Sequence, residues 1–69
     1  MKKININLNG ENFEILENTF LSQLILDLKL DPKKIAIEKD LEIIAKIDYD
    51  KTMLNENCQL EIVHFIGGG

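Results

Sequence analysis

Only one stretch of this chain repeats its apolar residues at helical spacing. Leu21, Leu24, Ile25 and Leu28 fall at i, i+3, i+4 and i+7, one stripe of an amphipathic helix. Most of the remaining apolar residues alternate with polar ones, the period of a half-buried strand. A single striped helix buries nothing by itself, so it requires a sheet to cover. The 69 residues leave room for one small domain, which buries roughly 60% of the surface its unfolded chain exposes.

The strands follow from the alternation. Ile4, Ile6 and Leu8 share one face, Asn5 and Asn7 the other, and Asn9-Gly10 is a pair that tolerates the positive φ of a tight turn. Phe13 and Ile15 continue the pattern, so the first sixteen residues read as a β-hairpin. Thr19 is the expected N-cap of a helix of about ten residues. Asp31-Pro32 is its expected stop, because the residue before proline is pushed out of the α region. Ile35 to Glu38 reads as a strand, Lys39-Asp40-Leu41 as a turn, and Glu42 to Lys46 as a short edge strand carrying Ile43 and Ile44. Asp48 to Lys51 reads as a turn or a single helical turn. A last strand runs from Gln59 to Phe65, with Leu60 and Ile62 on one face and Glu61, Val63 and Phe65 on the other.

First and last strands lie side by side in this order only if the sheet is mixed. One main helix packed across one face of such a sheet is the β-grasp, or ubiquitin-like, α+β arrangement. Its expected core is Ile4, Ile6, Phe13, Ile15, Leu21, Leu24, Leu28, Ile35, Ile37, Leu60 and Ile62. Residues 1–66 form the domain on this reading, and 67–69 a flexible glycine tail.

The composition excludes several activities. Cys58 and His64 are the only cysteine and histidine, too few for a tetrahedral zinc site. A nucleophilic triad would have to join Ser22 or Cys58 with His64, and nothing in their spacing brings them together. The interior is too poor in glycine for a phosphate-binding loop. Twelve acids against eight lysines, with no arginine, argue against nucleic acid as a partner. No apolar run exceeds three residues, so no membrane span or signal peptide is expected. A single cysteine fits a reducing, cytoplasmic setting.

What remains is the end of the chain. Three of its four glycines are Gly67, Gly68 and Gly69, directly after the last strand and Ile66. Glycine-rich ends are commonly just disordered. Glycine also lacks a Cβ, however, so such a tail threads a narrow channel and lays its backbone against a reagent. Its terminal carboxyl, with an ordinary pKa of ~3.3–3.7, is an anion at neutral pH and must be activated before any acyl transfer. The small acidic domain and the strand running into the tail favour this second reading, in which partners are the catalysts.

From Ile35 through Leu60-Glu61-Ile62-Val63-His64-Phe65-Ile66-Gly67-Gly68-Gly69, and in element order, the chain resembles the ThiS family of sulfur carriers for thiazole formation in thiamine biosynthesis. The resemblance implies that an E1-like adenylyltransferase activates the carboxylate of Gly69 with MgATP. ATP is then the partner's substrate, and no cofactor is bound by this chain. A cysteine desulfurase persulfide indirectly supplies sulfur, giving a Gly69 thiocarboxylate that thiazole synthase accepts. Carriers for molybdopterin or another sulfur acceptor, and ubiquitin-like protein modifiers, share the fold and the terminal Gly-Gly and stay open as alternatives. Where relatives commonly have Asn-Gly after the third strand, this chain has Asp40-Leu41. Leucine is strained at positive φ, so a turn of another type or length is expected there.

The remaining candidates are surface groups. Ala36, Val63 and Phe65 face away from the helix as a docking patch beside the tail, with Ile66 guiding it. Glu38, Glu61 and Glu14 form an acidic surround that seeks a basic partner. His64 is expected to be structural or partly exposed, and Tyr49 to pack over the sheet edge. Cys58 is not expected to carry the sulfur, which the resemblance places on Gly69.

Overall fold

The computed structural model describes residues 2–65. Strands β1 (Lys3–Leu8) and β2 (Glu11–Leu16) pair antiparallel, with Ile4 opposite Ile15 and Ile6 opposite Phe13. Asn9 and Gly10 join them with φ values of 51° and 85°. Both are positive, as a type I′ loop requires to match the right-handed twist of its strands. Helix α1 (Leu21–Asp27) follows, then β3 (Ile35–Lys39), β4 (Glu42–Ile43) and β5 (Gln59–His64). The sheet order is β2-β1-β5-β3-β4, with β5 parallel to β1 and antiparallel to β3. This mixed sheet with one main helix is the β-grasp arrangement.

The helix is shorter than its stripe suggests, and both its ends are set differently. Thr19 does not cap it. The Thr19 hydroxyl donates to Leu16 O at 2.6 Å, and Phe20 occupies the cap position without a side-chain bond. The first-turn donors find distant backbone instead, Leu21 N–H to Thr52 O at 2.8 Å and Ser22 N–H to Tyr49 O at 3.0 Å. At the other end the chain turns left-handed at Lys29 (φ 59°), two residues before Asp31. Leu30 N–H reaches Ile25 O and Lys29 N–H reaches Leu26 O, the paired bonds of a Schellman motif. Asp31 instead caps a 3₁₀ turn over Pro32–Lys34, accepting from Lys33 N–H at 2.9 Å.

The core between α1 and the sheet holds Ile4, Ile6, Ile15, Leu21, Leu24, Ile35, Ile37, Leu60 and Ile62 as expected. Phe13 and Leu28 are only half-buried, which corrects their place in the core. Ile25, Tyr49, Leu54 and Cys58 join it. Tyr49 sits inside the hydrophobic cluster rather than over a sheet edge, because the 49–54 segment feeds the carbonyls of Tyr49 and Thr52 to the start of α1 and turns Tyr49 and Leu54 inward.

The β3–β4 connection overturns one expectation. Lys39 pairs with Glu42, so Asp40 and Leu41 form a two-residue loop with φ values of 51° and 72°. Leucine therefore does take a positive φ. The turn is held there by Asp40, whose N–H donates to Gln59 O (2.8 Å) while its carboxylate accepts from Gln59 N–H (2.9 Å). The edge strand is also shorter than expected: β4 ends at Ile43, and a 3₁₀ turn occupies Lys46–Asp48. The last strand stops at His64, one residue early, although Phe65 N–H still reaches Lys34 O at 2.9 Å.

Asn9 does on one side of β5 what Asp40 does on the other. Its backbone N–H donates to Leu60 O, its side-chain oxygen accepts from Ile62 N–H at 2.7 Å, and its amide donates to Ile62 O at 3.3 Å. The side chain thus continues the parallel ladder where the backbone of β1 turns away. Two outcomes follow from these clamps. Asn9→Gly keeps a residue suited to positive φ but removes the side-chain bonds, and lowers stability in denaturant titration by about 1–2 kcal/mol. The hydrogen bond from Gln59 N–H, assisted by Lys39, holds the Asp40 carboxyl below its ordinary pKa. Its contribution is therefore complete at neutral pH and is lost as pH falls through the depressed value. As pH falls below about 4, the melting temperature of Asp40→Asn should fall less steeply than that of the unsubstituted chain.

Candidate functional site

The topology places β5 at the centre of the sheet, and its outer face lies opposite α1. Cross-strand pairing sets Val63 against Ala36 and Glu61 against Glu38. Glu38 is also paired with Ile43 of β4, so Ile43 lies on this face as well. Val63 and Phe65 are more than half exposed and Ile43 is 78% exposed, while Ala36 is partly covered. Ala36, Glu38, Ile43, Glu61 and Val63 line a shallow hollow of about 100 Å³. Of the expected patch residues, Ala36 and Val63 sit side by side across the β3–β5 seam, and Phe65, just past the end of β5, is exposed.

Ile43 was not part of the expected patch. A two-residue Asp40-Leu41 loop sets the β3–β4 register that turns Ile43 outward, and that loop conflicts with the usual residue preferences. Lys46 had no sequence signal at all. Its ammonium donates to Ile35 O at 2.9 Å, on the edge of β3 that β4 leaves uncovered, and stands 5.6 Å from the Phe65 ring centroid. That distance is within reach of a cation–π contact.

Of the three expected acids, Glu38 and Glu61 come together and Glu14 does not. Glu14 lies on β2, separated from the seam by β1, and its carboxylate is 3.8 Å from the Lys3 ammonium. Ile66, Gly67, Gly68 and Gly69, the expected tail, lie outside the described residues.

Two side chains with intrinsic reactivity, Cys58 and Tyr49, are buried. Cys58 is buried in the core, and desolvation pushes its thiol pKa up, which suppresses the thiolate that sulfur chemistry needs. Tyr49 is likewise buried with its phenol pKa raised by desolvation. His64 is exposed at the end of β5, opposite Ile35. Among the described residues, no three His, Cys, Asp or Glu side chains group as a metal site. No helix among them is long and apolar enough to cross a membrane.

Comparison with known proteins gives this geometry a context. Residues 6–69 match the ThiS family. A sulfur carrier protein ThiS of Bacillus subtilis is 34% identical over 65 residues, covering 93% of this chain and 98% of that protein. A thiazole synthase of Magnetococcus marinus is 39% identical over 64 residues, which is 93% of this chain. The chain spans about a fifth of that synthase's length, the match covering 20% of it. Among solved structures, a thiamine biosynthesis protein (ThiS) of Geobacter metallireducens superposes with a TM-score of 0.83 at 23% identity, covering 96% of this chain and all of that one. At that identity the structural likeness speaks for the fold.

Proposed function

Because this chain belongs to the ThiS family, we propose that it is a sulfur carrier for thiazole formation, with the carboxylate of Gly69 as its reacting group. The observation that carries the reading is the extent of the similarity. It runs from residue 6 to residue 69, takes in the terminal glycines, and extends along nearly all of a relative named as a sulfur carrier.

The chemistry follows from the carboxylate. A carboxylate oxygen attacks the α-phosphorus of MgATP held by an E1-like adenylyltransferase, releasing pyrophosphate and leaving an acyl adenylate. The terminal sulfur of a persulfide, loaded by a cysteine desulfurase, attacks the acyl carbon and AMP departs. A thiol then cleaves the acyl disulfide, leaving the thiocarboxylate on Gly69 and a disulfide on the donor side. The thiocarboxylate sulfur passes to thiazole synthase. The synthase relatives support this pairing, since a segment similar to this chain forms part of their length.

In this scheme the chain is not an enzyme. ATP is the activating partner's substrate, and the setting is the reducing cytoplasm. Gly67 and Gly68 give the carboxylate reach without side-chain bulk. Ala36, Val63, Phe65 and Ile66 dock the partner beside the tail, and Glu61 draws a basic surface toward it.

Incubation with the cognate adenylyltransferase, ATP, the desulfurase and cysteine should raise the intact mass by about 16 Da, one oxygen exchanged for sulfur in the acyl chemistry. Deletion of Gly69 should abolish the gain. An unchanged mass, or a gain that survives the deletion, contradicts the carrier reading. Isopeptide adducts on other proteins would make the chain a modifier. A thiocarboxylate that serves molybdopterin but not thiazole synthesis would reassign the acceptor.

A further inference from the structure

Three local rules of folding are broken at one place on the outer face, and all three concern residues around Leu41. The first is conformational. Among the described residues the positive-φ positions are Asn9, Gly10, Asn18, Asp40 and Asn57, which suit the left-handed region, together with Lys29 and Leu41. Lys29 is a solvated helix end. Leu41 is apolar and branched, and at φ 72° it occupies the slot where a type I′ loop favours glycine. The second is solvation, since the Leu41 side chain is 85% exposed. The third is electrostatic. Glu38 and Glu61 are directly opposite each other across β3 and β5, and like charges so placed repel.

These features share one concavity of about 280 Å³, whose lining includes Asn7, Glu38, Leu41, Gln59 and Glu61. It adjoins the smaller hollow by Val63, because Glu38 and Glu61 line both. A sequence that departs from local preference three times in one hollow is answering to something other than its own fold.

We infer that Leu41 is an anchor for the adenylating partner, seating in an apolar pocket on that enzyme whose rim carries lysine or arginine side chains facing Glu38 and Glu61. A basic rim removes the repulsion between the two glutamates, and an apolar pocket covers the leucine. A second copy of this chain fits poorly, because two such faces would oppose four glutamates in a protein of net charge −4. Chemistry selects which partner reads the anchor. A carboxylate on glycines carries no side-chain information, so the enzyme that activates it must recognise the folded face. The synthase receives a thiocarboxylate, a group already marked by its sulfur. β5 spans roughly 17 Å from Gln59 to His64, so an enzyme touching both Leu41 and Phe65 grips the strand along its whole length.

This inference rests on the carrier reading above, and the experiment separates the two. Leu41→Gly gives an Asp-Gly loop, the preferred type I′ pair, so its melting temperature should equal or exceed that of the unsubstituted chain. The same variant should raise the KM of the cognate adenylyltransferase for the carrier about tenfold, and Leu41→Asn should behave alike. Glu38→Gln combined with Glu61→Gln should flatten the fall of kcat/KM with added salt. A KM unchanged by both Leu41 variants overturns the assignment, as does a defect confined to the synthase step. A dimer of the unsubstituted chain that Leu41→Gly abolishes also overturns it, in favour of self-association. If the unsubstituted chain gains no sulfur, the carrier reading and this inference fall together. If it gains sulfur with equal KM for the variants, only the Leu41 assignment falls.

Discussion

Everything in this fold hangs on how the last strand is held. β5 enters the middle of the sheet between β1, to which it runs parallel, and β3, to which it runs antiparallel. The parallel ladder with β1 is short, pairing only Asn7 with Gln59 and Leu8 with Leu60. Side chains from two turns extend its grip: Asn9 binds both the N–H and the carbonyl of Ile62, and Asp40 accepts from Gln59 N–H. Those clamps order the strand whose inner residues, Leu60 and Ile62, complete the core and whose outer residues, Glu61 and Val63, are exposed.

The two faces of the sheet carry different duties. The inner face meets Leu21, Leu24 and Ile25 of α1, and Tyr49 and Leu54 close the end where the helix begins. Cys58 is absorbed into that core, so the reactive side-chain sulfur is committed to packing. The outer face leaves Val63, Phe65 and Ile43 in solvent and keeps Glu38 beside Glu61. In the proposed division of labour the fold presents a handle and the terminal carboxylate does the chemistry.

Much of this was legible in the residues because it depends on short-range pattern. The Asn9-Gly10 hairpin, the existence of one helix and the alternation of β5 follow from periodicities of two and 3.6 residues. The helix ends were not legible, because distant groups decide them. The donors of Leu21 and Ser22 are satisfied by carbonyls about thirty residues away, which leaves Thr19 free to bond Leu16. Lys29 ends the helix through a backbone motif that needs glycine or asparagine by ordinary preference. Leu41 was misread for the same kind of reason, since the bonds between Asp40 and Gln59 enforce a turn that leucine alone would avoid. The outer patch was found in part, and Ile43 was missed because its orientation depends on that turn.

The central claim is that the only reacting group of this domain is its terminal carboxylate. ATP–pyrophosphate exchange by the cognate adenylyltransferase tests it directly, comparing the chain with one prepared as a C-terminal carboxamide. The account predicts chain-dependent exchange with the carboxylate and none with the carboxamide, because the amide offers no anionic oxygen to the α-phosphorus. Equal exchange with both, or none with either, would contradict it.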